Sequence, residues 1–271
     1  MRENGSVARN STHLHQGEAP ADALLTYHEL ERQPSRDQYA VSCQNFERHL
    51  QGIKKLITGS KIKSGLRYIS FDDGHRTNVE MALPCLKRNN LKAIFFVTAG
   101  WIGTKRFAMG WNELAVLLAS GHSVQSHGFS HIFLNNCSRT ELCWELRGSK
   151  ELLEDHLGIA VNSISIPGGR WNDRVIKACA AAGYRHVYTS DPILQPRSEH
   201  GVYVHGRIMV RQNTRVAEIE KFLTGNRSYW LSLHARHMVK EGLRAILGDA
   251  NYHALWRKMS RRVEPQDNEE P

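Results

Sequence analysis

Residues Arg67-Tyr68-Ile69-Ser70-Phe71-Asp72-Asp73-Gly74 decide how the rest of the chain reads. The first five form a short, aromatic and β-branched run, and the last three close it in a polar turn with glycine, so the segment reads as a strand ending in a loop. The same kind of run recurs at Leu24–His28, Ala93–Val97, His122–Ser126, Ser163–Ile166 and His186–Thr189. Segments of helical spacing lie between these runs. Phe46, Leu50, Ile53 and Leu56 share one helical face, and Leu142, Leu146, Leu153 and Leu157 share another. The second of these helices has a capping box in Ser138 and Glu141 and a stop at Gly158. Asn172 or Asp173 opens a third, which Gly183 ends. Strands that alternate with helices form a parallel sheet. About six repeats in one chain suit a barrel-like closure, and an open doubly wound sheet has the same local pattern.

The chain is 271 residues long, 41% hydrophobic and 23% charged, enough to bury a full core. No apolar stretch approaches the roughly 20 residues of a membrane helix, so no membrane span is expected. Met1–Asp22 is polar and has no apolar run, which points away from a secretory signal and toward a cytoplasmic protein. Five cysteines, without a Cys-x-x-Cys pair, fit a reducing compartment. The net charge of +9 is uneven: residues 200–262 hold 12 basic against 4 acidic side chains. A solvated helical face accounts for this excess better than nucleic-acid binding, because no zinc-finger spacing or aromatic-interleaved basic groove accompanies it.

Parallel α/β folds gather their chemistry beyond the carboxyl ends of the strands. Asp72-Asp73-Gly74 follows one strand, His127-Gly128-Phe129-Ser130-His131 another, and Pro167-Gly168-Gly169-Arg170 a third. Neighbouring side chains at a strand end point in different directions, so one aspartate can bind a cation while the other faces water. Two imidazoles and a carboxylate make a three-ligand site with positions left open for catalysis. A lone Asp-Asp-Gly is more often an Asx turn and a lone His-x-x-x-His a coincidence; together on one rim they carry far more weight. The glycines after Pro167 expose main-chain N–H groups that can hold an oxyanion.

Ser70-Phe71-Asp72-Asp73-Gly74, Ser126-His127-Gly128-Phe129-Ser130-His131 and Pro167-Gly168-Gly169, in this order, resemble the polysaccharide deacetylase family, the NodB-homology group or carbohydrate esterase family 4. Thr26-Tyr27-His28, Ala93–Val97 and Ala182-Gly183-Tyr184 agree with it, and the likeness covers about residues 24–225. The resemblance implies an α/β fold: a distorted, incomplete (β/α) barrel of about seven parallel strands. It implies a divalent metal, often zinc, and removal of acetyl groups from an N-acetylated carbohydrate. Asp72 would be the general base acting on a metal-bound water, and Asp73, His127 and His131 the metal ligands. Pro167, Gly168, Gly169 and Arg170 would form the substrate and oxyanion loop. Two alternatives stand beside this reading: a hydrolase of another amide, such as a formyl group or cyclic ureide, and a non-catalytic carbohydrate-binding barrel.

Three features depart from the family's pattern. Ser165 occupies the position where an arginine often steadies the base, leaving Arg170 or Arg207 as replacements. The family's acidic motif with tryptophan has only Asp191 as a loose counterpart. The late Leu-x-His that supplies the proton donor is matched in letters by Leu231–His234, but that segment carries helical spacing. The sequence therefore divides into a flexible segment at 1–22, a barrel at 23–225, a basic helical extension at 226–262 and an acidic flexible tail at 263–271. Within the extension a helix is expected from about Ser228 to Leu247, with a second opening at Asp249. His28 and His75 are further candidates for the active rim, and Trp101 and Trp111 for stacking on a sugar.

Overall fold

The computed structural model describes residues 20–33, 37–64, 67–192 and 196–248. Its strands are β1 (Pro20–Tyr27), β2 (Leu30–Glu31), β3 (Val41–Ser42), β4 (Arg67–Phe71), β5 (Ala93–Val97), β6 (Ser123–Ser126), β7 (Ser163–Ser165), β8 (His186–Tyr188), β9 (Arg197–Glu199), β10 (Val202–His205) and β11 (Arg207–Met209). Its α-helices are α1 (Cys43–Thr58), α2 (Leu83–Asn89), α3 (Trp111–Ala119), α4 (Arg139–Leu157), α5 (Asp173–Ala181), α6 (Val216–Leu223) and α7 (Arg227–Leu247). All six runs read from the sequence are strands; five agree to within a residue at their ends, while β1 begins at Pro20, four residues before the run read from Leu24.

Nine strands form one sheet in the order β11-β1-β4-β5-β6-β7-β8-β10-β9. Every pairing is parallel except that of the edge strand β9 with β10. The barrel of about seven strands thus has eight parallel ones, because β10 and β11 follow one another with only Gly206 between them. These two strands lie near opposite ends of the sheet order, so the sheet must curl until its edges meet. They pair no residues with each other, and the barrel is incomplete.

Consecutive residues on a strand face opposite sides, and both sides are packed. Leu25, Phe71 and Phe95 join the large core under the helices, while Leu24, Ile94, Phe96 and Tyr188 form a smaller cluster on the other side. In the large core the rings of Tyr27, Phe46, Phe71 and Phe95 pack in series, with Phe71 and Phe95 stacked at 5.0 Å. Helix α1 presents Phe46, Leu50, Ile53 and Leu56 to this core.

The helix ends obey local chemistry. In α4, Ser138 Oγ accepts from the Glu141 amide and Glu141 returns the bond to the Ser138 amide, while Gly158 takes a left-handed φ of 62° at the C-terminus. Asn172 caps α5 by accepting from the Val175 amide. Helix α7 starts at Arg227 behind an Asn226 cap and runs to Leu247, as its spacing predicts. The expected helix from Asp249, the segment 1–22 up to Ala19 and the tail 263–271 lie outside the described residues. Among the described residues no helix is long and apolar enough to cross a membrane.

Candidate active site

The parallel strands bring β4, β6 and β7 side by side, so the loops that follow them converge on one rim. Asp72 and Asp73 leave β4, His127 leaves β6, and Ser165 ends β7. Nε2 of His127 lies 3.3 Å and Nε2 of His131 3.1 Å from Asp73 Oδ1. One ligand atom from each of these three residues lies within 4.8 Å of the others, the spacing of donors around a single ion. Asp73 and His131 both adopt positive φ, at 71° and 61°, where residues other than glycine rarely sit. Such conformations cost about 1–3 kcal/mol each and persist where the surroundings impose them.

The donors fit a divalent cation by their protonation as well as their spacing. His127 Nδ1 bonds to the Ser165 carbonyl at 2.9 Å; a carbonyl only accepts, so Nδ1 carries the hydrogen. Nε2 of the neutral ring then presents its lone pair to the Asp73 carboxylate. Two acceptors at 3.3 Å repel unless a positive charge lies between them. Burial pushes the His127 pKa down, but the charges of Asp72 and Asp73 and the Asp73 hydrogen bond outweigh it and raise it above the usual value. Burial pushes Asp73 up, and the neighbouring His131 and His127 more than reverse this, leaving it well below the carboxylate range. The cluster thus calls for a cation, whether proton or metal.

Asp72 has a different setting. Arg207, the first residue of β11, grips it with two donors, Nη1 to Oδ1 at 2.8 Å and Nη2 to Oδ2 at 3.0 Å. Ser165 Oγ donates to Oδ2 at 3.0 Å and accepts from Arg207 Nη2 at 2.7 Å. The guanidinium also lies over the Phe96 ring, 5.4 Å from its centroid. Burial would raise the Asp72 pKa, but the Arg207 charge, followed by that of His127, holds it below the usual value. Of the two replacements for the missing arginine, Arg207 therefore makes the contact. Arg170 instead sits over the Phe133 ring at 4.2 Å.

Residues 60–187 match the sequence model of the polysaccharide deacetylase family. This segment belongs to that family. Among relatives, YxkH of Bacillus subtilis is 31% identical over 142 residues, covering 52% of this chain and 50% of that protein. The peptidoglycan-N-acetylglucosamine deacetylase of Bacillus cereus is 30% identical over 125 residues, 45% of this chain and 55% of the relative. The chain thus spans about half the length of these curated relatives. Among solved structures, the deacetylase PplD from Streptococcus pyogenes aligns with a TM-score of 0.62 at 19% identity, over 76% of this chain and 97% of that one. IcaB from Ammonifex degensii gives 0.62 at 20% identity, over 76% and 99%. These likenesses show a common fold.

The remaining positions sort themselves around the deacetylase-family rim. Pro167–Gly169 form one tight turn in which Gly168 and Gly169 have φ of 63° and 65°. A Cβ on Gly168 would meet Phe133 Cε1 at 2.4 Å, so the turn needs glycine for space as well as conformation. Trp171 Nε1 donates to Asp191 Oδ2 at 2.7 Å, which gives Asp191 the tryptophan partner that the sequence order hides. His28 follows β1, and an imidazolium there would help to lower the pKa of both Asp72 and Asp73. His75 is held to one side, accepting from Thr77 and lying 3.4 Å from Glu29. Trp101 packs on the His131 ring at 5.0 Å, whereas Trp111 stacks on His156 away from the rim. His234 lies in the middle of α7 and not at a strand end.

Glu145 of α4 was not singled out by sequence reasoning. It is 2% exposed; Oε2 accepts from the amides of Phe129 and Ser130, both at 2.9 Å, and Oε1 accepts from Ser130 Oγ at 2.6 Å. It therefore fixes the loop between His127 and His131. The signal available was an acid on the apolar arc of α4, between Leu142 and Leu146, where a buried charge needs partners.

Proposed function

We propose that this protein is a metal-dependent hydrolase that removes N-acetyl groups from an amino-sugar oligo- or polysaccharide, with Asp72 as the general base. The observation that carries this reading is the buried Asp72, clamped by Arg207 and Ser165 with Oδ2 4.0 Å from His127 Nε2, beside the Asp73–His127–His131 cluster. A binding barrel has no need to keep a second carboxylate ionised beside its metal ligands.

Asp73, His127 and His131 would hold the cation, and two imidazoles with one carboxylate suit zinc. When bound, the ion would supply Lewis acidity to the amide carbonyl and to the attacking water. Asp72 accepts the proton of the attacking water while the new C–O bond forms. Its ionised state at neutral pH follows from the Arg207 charge, and its orientation from the guanidinium fork and Ser165 Oγ. In the Pro167–Gly169 turn, proline has no N–H and the Gly169 N–H donates to the Ile166 carbonyl at 2.9 Å, so the Gly168 N–H is the donor that would hold the developing oxyanion, with Arg170 close by in the chain. The proton that Asp72 takes up balances the one that the departing nitrogen receives as the C–N bond breaks. The products are acetate and a free amino sugar.

Two substitutions test this division of labour. Asp72→Asn should retain the bound metal and lose about 10²–10⁴-fold in acetate release from N-acetylated chitooligosaccharides. Asp73→Asn should lose metal affinity first, read by elemental analysis after dialysis. An Asp72→Asn protein with full activity, or an Asp73→Asn protein with undiminished metal, would overturn the assignment.

A further inference from the structure

Helix α7 has one face on the protein and another that the described residues leave bare. Its inner side is anchored: Trp230 is buried, stacks on Phe222 at 4.7 Å and donates to the Phe222 carbonyl, and Leu233 packs against the core. On its outer side Leu231, Met238, Val239, Leu243 and Ile246 are exposed, Leu231 by 63% and Ile246 by 82%. Of the ten large apolar side chains exposed among the described residues, six belong to this helix. At 100° per residue, Leu231, Met238, Val239 and Ile246 fall within one arc about 100° wide, with Ala235 and Gly242 inside it. A contiguous apolar patch of this kind marks an interaction surface.

The charges beside the stripe indicate what covers it. Arg227 and Arg236 are exposed and border it on opposite sides. The helix also carries Lys240 and Arg244, against a single acid, Glu241, which pairs with Arg244 at 3.3 Å. Pairing the stripe with a second copy would bring two basic helices together. The surface that complements it is anionic and can accept apolar side chains. A helix with an apolar face and basic borders lies in the plane of a bilayer, its apolar side at the boundary of headgroups and acyl chains.

We propose that the outer face of α7 docks on an anionic phospholipid bilayer. On the inner side of the same helix, His237 lies 3.7 Å from Asp191, the partner of Trp171. Docking through α7 therefore holds the sugar-facing rim beside the lipid surface.

The test is flotation of the full chain with vesicles of phosphatidylcholine alone or of phosphatidylcholine with phosphatidylglycerol. The protein should float with the anionic vesicles and not with the neutral ones, and half-molar salt should weaken binding. A Met238→Glu/Ile246→Glu variant should lower the bound fraction at least tenfold. Both positions are exposed, so its melting temperature should be unchanged, as should its acetate release from soluble chitooligosaccharides. That activity readout separates failure of the docking surface from failure of the deacetylase reading. Absence of binding to anionic vesicles, or binding that the variant leaves intact, would overturn the proposal. A concentration-dependent dimer abolished by the same variant would assign the stripe to a second copy and overturn it as well.

Discussion

Arg207→Met removes a charge and its forked donors while keeping an apolar stem of similar length. In the structure those donors lie 2.8 and 3.0 Å from Asp72, and Arg207 and Asp72 are 1% and 2% exposed, so solvent has no ready access to replace them. Removing one partner of a buried ion pair costs roughly 3–5 kcal/mol, because the other charge is stranded. For a domain of this size each kcal/mol lowers the melting temperature by about 2–4 °C. A fall on the order of 10 °C at neutral pH is expected. The stranded carboxyl can escape by taking up a proton. In the intact protein its pKa lies below the unfolded value, so its ionised form contributes stability above the unfolded carboxylate pKa, and this is lost as pH falls through the folded value. Without the Arg207 charge, burial dominates and the pKa moves up. The variant should therefore recover part of its lost stability relative to wild type on acidification. The acidic limb of its kcat/KM profile should also shift to higher pH. The assays are thermal melts across pH and kcat/KM for acetate release across the same range. Arg207→Lys, which keeps the charge but not the fork, should fall between the two proteins. A methionine variant with the wild-type acidic limb would refute the argument that Arg207 keeps the base ionised.

Glu145→Gln should weaken metal binding by about 10–100-fold, as loss of a group orienting metal ligands typically does, and calorimetric titration with zinc would measure it. Gly168→Ala imposes both a left-handed alanine and a Cβ 2.4 Å from Phe133; a loss of about 1–3 kcal/mol is expected in denaturant melts. His234→Ala should leave kcat/KM within twofold of wild type, since the residue is exposed on α7, and a large loss would restore it as a proton donor.

The parallel strands, the caps of α4 and α5, and the convergence of Asp73, His127 and His131 were legible because each rests on neighbours in sequence. A run of β-branched residues before a glycine turn announces both a strand and the rim to which it delivers side chains. The origin of the base's partner was less accessible. Ser165 showed that an arginine was missing and named two replacements, but choosing Arg207 required the pairing of β11 with β1, which no local pattern encodes. Strands β9 to β11 escaped reading because they are three or four residues long and follow one another without intervening helices. Asp191 was loosely identified because its tryptophan precedes it by a whole helix and strand. The C-terminal helix could be read from spacing alone, whereas the bareness of its outer face emerges only once the other elements are in place.

The single glycine between β10 and β11 has a consequence for how the protein becomes active. Asp72, Asp73, His127 and His131 all lie between positions 72 and 131. The guanidinium that grips Asp72 arrives on β11, which is held in register by β1 from the other end of the sequence, Leu24 opposite Arg207. Contacts between such distant segments carry the largest loop-closure cost and form late. A chain with this seam still open holds all the motif residues but lacks a fixed proton acceptor. On the proposed mechanism, hydrolytic competence reports on the last step of assembly, and during refolding it should lag behind the recovery of secondary structure.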